Sequence, residues 1–101
     1  MKIAIPSDDG QKMSNVFGRA ANFVIYDDAD RSLSVKKNEG INAEHGAGTG
    51  AASFLAEQKV KLVYAPEVGP KAAQGLSMAG ITVKLAKAGT DIKELLKIAE
   101  Q

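Results

Sequence analysis

The feature that most constrains this fold is a change of period along the chain. Apolar residues come first in three runs of strand length, then alternate between helical spacing and further strand-length runs. His45-Gly46-Ala47-Gly48-Thr49-Gly50 is a Gly-rich loop opening a helix, in which Ala51, Ala52, Leu55 and Ala56 recur at helical spacing and Phe54 adds apolar area. Val60, Leu62 and Val63, running on to Tyr64 and Ala65, have strand length and end at Pro66. Gly69-Pro70 then places a proline where a first helical turn tolerates its missing N–H. Ala72, Ala73, Leu76 and Ala79 follow, with Gly75 weakening the helix and Gly80 closing it. Ile81, Val83 and Leu85 alternate with Thr82 and Lys84. Thr90 is placed as an N-cap before a helix with Ile92, Leu95, Leu96 and Ala99 on one face and Lys93 and Lys97 on the solvated one. Strand and helix alternating in this way predict parallel pairing through right-handed crossovers.

The N-terminal third reads differently. Lys2 to Ile5 is an apolar run stopped by Pro6, and Ser7-Asp8-Asp9-Gly10 is dense in turn formers. Phe23 to Tyr26 is β-branched and aromatic, Asp27-Asp28-Ala29-Asp30 is a polar turn, and Leu33 and Val35 then alternate with polar neighbours, which predicts a hairpin. The order β-β-β-α-β-α-β-α predicts an α/β fold with a mixed five-stranded sheet and helices on its faces. With no fixed-period repeat and no linker, residues 1–101 read as one domain, and 101 residues suit a single core.

Composition removes several classes of function. The chain is 45% hydrophobic and 25% charged, which is globular, and its formal charge of +1 leaves no basic track for nucleic acid. It has no Cys, hence no disulfide framework and no thiolate ligands for zinc or iron-sulfur clusters. No segment approaches the ~20 apolar residues of a membrane span, and MKIAIP is too short for a signal-peptide core, so a cytoplasmic location is expected.

Met1-Lys-Ile-Ala-Ile-Pro-Ser-Asp, Ser14-Asn-Val-Phe-Gly-Arg-Ala and Phe23-Val-Ile-Tyr-Asp resemble the dinitrogenase iron-molybdenum cofactor biosynthesis family. The likeness continues through the glycines at 46 to 50, Val68-Gly-Pro-Lys-Ala, Ala79-Gly-Ile-Thr-Val and Gly89-Thr90, and so covers nearly the whole chain. Phe17-Gly18-Arg19-Ala20 is its most specific element. The resemblance implies a ribonuclease-H-like sheet. It also implies a small carrier that holds or passes on iron-sulfur precursors of the nitrogenase cofactor, an iron-sulfur or iron-molybdenum-type cluster. Many relatives carry a His just before the Phe-Gly-Arg; this chain has Val16 there, which offers no lone pair.

Residues 6 to 22 form a connection longer than a compact domain normally uses, so a function or a helical turn is expected there. Within it Arg19 offers a cationic fork for a carboxylate, a phosphate or an anionic cluster, Gly18 lets backbone approach closely, and Phe17 anchors the loop. The alternative is that Arg19 pairs with a surface carboxylate such as Asp8 or Asp27. His45 is the sole His and the one conventional metal ligand. Its partners would have to be carboxylates, the Met13 thioether or donors from a second subunit, and a solvated loop is the plainer reading. Gly46, Gly48 and Gly50 at a helix start can present N–H groups to an anion. They lack the Gly-Lys-Ser/Thr ending of a phosphate loop, and Ala51 stands where a dinucleotide fingerprint has its third glycine. Topology places a ligand crevice where Ser7-Asp8 meets Pro66-Glu67-Val68-Gly69. If the Phe17-Gly18-Arg19 loop and His45 fold over that end, one cleft holds an Arg, a His, backbone amides and carboxylates.

Two functions follow. The first is a non-enzymatic carrier for an anionic metallocluster or small anion, a monomer or weak homodimer, with a partner protein supplying thiolates. The second is a phosphate- or nucleotide-binding or metal-dependent hydrolase domain using Asp8, Asp9, Asp27 and Asp28, residues that read more simply as turn formers. No nucleophile, base and orienting group can be named together, which disfavours an enzyme.

Overall fold

The computed structural model describes residues 1–42 and 46–99, with side chains as far as Lys97. The elements are β1 (Lys2–Ser7), β2 (Asn22–Asp27), β3 (Ser32–Lys37), α1 (Ala47–Glu57), β4 (Val60–Ala65), α2 (Pro70–Met78), β5 (Thr82–Leu85) and α3 (Ile92–Ala99). Their order is the expected one. The five strands form a mixed sheet in the order β3-β2-β1-β4-β5, in which β2 alone runs against the others.

The two-residue period of each strand divides the core between two faces. Ala4, Phe23, Ile25, Val63 and Ala65 face α1 and α2, where they meet Ala51, Ala52, Phe54, Leu55, Ala72 and Leu76. Ile3, Ile5, Val24, Tyr26, Leu62 and Tyr64 lie under Ile92, Leu95 and Leu96 of α3, with Met13 completing that layer. Central β1 is covered on both sides, which explains its unbroken apolar run. Fully buried side chains such as Leu55 and Leu76 each contribute about 1.5–3 kcal/mol of transfer free energy. The edge strand β3 is exposed along its whole length, Leu33 and Val35 included, and its Lys36 and Lys37 disfavour pairing with another edge.

Two local expectations are corrected. Pro6 does not stop the first strand: β1 continues to Ser7, with Pro6 opposite Phe23. The pairing of β1 with β4 ends at Ala4, so Pro6 lies where the strand has a neighbour on one side only and a missing N–H is tolerated. Thr90 does not cap the last helix. Its hydroxyl donates to the Lys87 carbonyl, and Asp91 instead accepts from the N–H of Lys93 at 2.8 Å. Among the described residues no helix is long and apolar enough to cross a membrane.

Candidate functional site

The long connection between β1 and β2 is held in two halves. In the first, Asp9 accepts the N–H groups of Gln11 (2.8 Å) and Lys12 (3.0 Å). These backbone donors, that of Lys12 foremost, hold its carboxyl below the usual value. The Met13 N–H donates to the Thr90 carbonyl, and the Met13 carbonyl accepts from the Gly89 N–H, both at 2.9 Å, tying this half to the turn before α3. Asp8 accepts from the Ala21 N–H (3.0 Å) and from the Ser14 hydroxyl (3.3 Å), closing the connection on itself. Asp27 accepts from the Ala29 N–H at 3.0 Å, and Asp28 takes the N-terminal ammonium at 2.6 Å. All four aspartates therefore have local structural partners. Among the described residues, no group of three or more His, Asp or Glu side chains is placed to hold a metal ion.

The second half carries the Phe17-Gly18-Arg19-Ala20 segment and packs onto α1. The Phe17 ring meets Phe23 edge-on, with centroids 5.5 Å apart and planes at 62°, and Phe23 in turn meets Phe54. Gly18 lies against the first turn of α1 so closely that a Cβ there would come within 2.6 Å of the Gly48 nitrogen. Asn38, just past β3 and 1% exposed, fixes this segment from behind. Its Nδ2 donates to the carbonyls of Gly18 (3.0 Å) and Ala20 (2.9 Å), one on each side of Arg19, and its Oδ1 accepts from the Gly40 N–H at 3.1 Å.

In front of this segment opens a cleft of about 600 Å³, bounded by Val16 to Arg19, Gly46 to Thr49, Glu67 and Gly69 to Ala72. The starts of α1 and α2 both face it. Gly46 precedes α1 at φ 104°, a region that favours glycine, and Gly69 precedes α2; neither helix has a side-chain cap. The first bonds inside the helices are Gly50 N–H to the Gly46 carbonyl and Ala73 N–H to the Gly69 carbonyl. The N–H groups of Ala47, Gly48 and Thr49, and of Lys71 and Ala72, thus have no helical acceptor. Each helix start carries the equivalent of roughly half a positive charge. Arg19 and Lys71 add full ones, and among the described residues Glu67 is the one carboxylate on the wall.

Of the residues singled out in the sequence, Phe17, Gly18, Arg19, Gly46 and Gly48 line this cleft. Gly48 lies inside the first turn of α1 rather than in a loop before it, and Gly50 sits behind the wall, where a Cβ on Gly40 would overlap its carbonyl group. His45 lies outside the described residues. The crevice expected between Ser7-Asp8 and Pro66 to Gly69 is divided: Glu67 and Gly69 line the cleft, whereas Asp8 borders a separate hollow of about 390 Å³ with Asp9 and Met13. Arg19 is exposed and makes no ion pair among the described residues; Asp8 and Asp27, its suggested partners, are engaged elsewhere. Sequence reasoning missed Asn38, whose partners lie 18 and 20 residues away. It also missed Lys71, which its place directly after Gly69-Pro70 marks as a first-turn residue.

The family model described as dinitrogenase iron-molybdenum cofactor matches residues 1–101. An uncharacterised protein of Methanocaldococcus jannaschii is 35% identical, the match covering 97% of this chain and 84% of that protein. The apo form of the orange protein from Desulfovibrio gigas superposes with a TM-score of 0.86 at 32% identity, covering 95% of this chain and 83% of that one. A putative NifB protein from Thermotoga superposes with a TM-score of 0.79 at 31% identity, covering 97% of this chain and 85% of that one.

Proposed function

Because this chain belongs to the dinitrogenase iron-molybdenum cofactor family, we propose that it is a small, non-enzymatic carrier. Its cargo is an anionic metallocluster of the iron-sulfur or iron-molybdenum type, held in the cleft between the starts of α1 and α2. One observation carries this reading. Two uncapped helix starts, Arg19 and Lys71 converge on one cleft of about 600 Å³. That is an environment for a whole anion, stabilised by backbone N–H groups and fixed positive charge.

The donor set fits one mode of binding and not another. With no Cys in the chain and no three candidate ligands gathered among the described residues, side-chain ligation of iron or molybdenum is poorly supported. Recognition of the cluster through its outer negative charge needs no such ligands. The cluster would then arrive and leave intact, and a partner protein would supply any thiolates the exchange requires. Among the described residues, the polar side chains on the wall, Arg19, Thr49, Glu67 and Lys71, are suited to binding rather than to bond-breaking. A cytoplasmic monomer or weak homodimer suits this role. The strand order β3-β2-β1-β4-β5 with β2 reversed also supports the ribonuclease-H-like reading of the sheet.

An anaerobic titration with tetrathiomolybdate, and separately with a reconstituted iron-sulfur precursor, tests the proposal through visible absorbance and bound metal. The expected result is stoichiometric uptake that weakens several-fold in Arg19→Ala and in Lys71→Ala. Absence of uptake of either probe by the parent protein would overturn the carrier reading. Tight binding of inorganic phosphate in preference to both probes would favour the phosphate-binding alternative.

A further inference from the structure

The charged groups around the cleft do not all favour an anion. Arg19, Lys71 and the two helix starts attract negative charge, and on their own they would hold the small dianions that abound in any cell, phosphate and sulfate above all. Glu67 opposes them. It lines the same cleft, is exposed, and among the described residues makes no ion pair with Arg19 or Lys71, so its charge is not spent on either. A cavity of about 600 Å³ is no wider than roughly one Debye length, ~10 Å at 0.1 M salt, so a charge on its wall acts on everything inside.

We propose that Glu67 is the specificity-determining residue of this cleft, a fixed negative charge that turns away small, charge-dense oxyanions and leaves the cleft to larger anions whose charge is spread out. The inference rests on reading the cleft as an anion site. Repulsion from one wall charge falls hardest on a compact dianion, both of whose charges sit at one point. A cluster-sized anion spreads its charge over the cleft and keeps its contacts with both helix starts.

The test is anaerobic calorimetric titration of the parent, Glu67→Gln, Glu67→Lys and Glu67→Asp with inorganic phosphate and, separately, with a water-soluble thiolate-ligated four-iron, four-sulfur cluster. Phosphate affinity should rise roughly three- to tenfold in Glu67→Gln, the size expected for a unit charge a few ångströms from a dianion in a wet site. It should rise further in Glu67→Lys and stay near the parent value in Glu67→Asp. These gains should shrink as sodium chloride is added, and affinity for the cluster should change less than phosphate affinity throughout. Unchanged or weaker phosphate binding in Glu67→Gln would overturn the proposal, as would equal gains for both probes. A parent that takes up neither the cluster nor tetrathiomolybdate sinks the carrier reading instead, while the phosphate series still decides the role of Glu67.

Discussion

Gly18 and Gly48 touch main chain to main chain: a methyl placed on Gly18 lies 2.6 Å from the Gly48 nitrogen and 2.7 Å from its Cα. Neither is the flexible end of a side chain, so nothing nearby can swing aside. Gly18→Ala must push the Arg19 segment off the start of α1, at a cost of about 1–3 kcal/mol, the usual range for overpacking. Urea denaturation should show that loss, and the probe titration should show weakened uptake.

The opposite wall offers a compensating pair. A Cβ on Gly48 would come within 2.9 Å of the Ala72 Cβ, so Gly48→Ala forces the starts of α1 and α2 apart. Adding Ala72→Gly removes the methyl it meets. The double variant should recover probe affinity lost in the single one. Its stability should return close to that of the parent, because the helix propensity lost at Ala72 is offset by that gained at Gly48.

Asn38 should matter to both stability and binding. Asn38→Ala leaves the carbonyls of Gly18 and Ala20 and the N–H of Gly40 without their partner in a buried place. We expect a loss of about 2–4 kcal/mol by urea denaturation, and faster amide exchange at Gly40. Asn38→Asp should be no better, since a carboxylate cannot donate to two carbonyls.

Acid should loosen the turns that Asp9 and Asp30 hold. The Asp9 carboxyl is held down by the N–H groups of Lys12 and Gln11, and that of Asp30 by the side chain and N–H of Ser32. A carboxyl with a depressed folded value stabilises the fold above its unfolded value of 3.8. That contribution is lost as pH falls through the folded value. The urea midpoint of the parent should therefore fall from about pH 5 downward. Asp9→Ala and Asp30→Ala should start lower and decline less steeply over the same interval.

Element order and strand pairing were legible because they are written locally. The β-branched run at Phe23 to Tyr26, the Gly69-Pro70 helix start and the stop at Gly80 each act within a few residues. Half of the cleft was legible for the same reason: Phe17-Gly18-Arg19 and the glycines at 46 and 48 stand out by residue type and spacing. What escaped depends on contacts between distant parts of the chain. Asn38 looks like any polar residue after a strand until the fold brings Gly18 and Ala20 to it. Pro6 reads as a strand stop because its tolerance depends on where the β1 to β4 pairing ends. Glu67 was named only as one of a stretch bordering the expected crevice, since its own meaning comes from the positive groups it faces.

The two helix starts without caps have a further consequence. Gly69 has an ordinary extended conformation with φ −67°, and a Cβ there would meet nothing within 4 Å, so serine or aspartate would fit and cap α2. Such a cap typically improves on glycine by only a few tenths of a kcal/mol. It would also occupy N–H groups that now face the cleft. On the proposed carrier reading, a bound anion would complete both helix starts at once. Loading and tightening would then be a single event, and an acceptor that removes the cargo would receive it from a carrier that relaxes as it lets go.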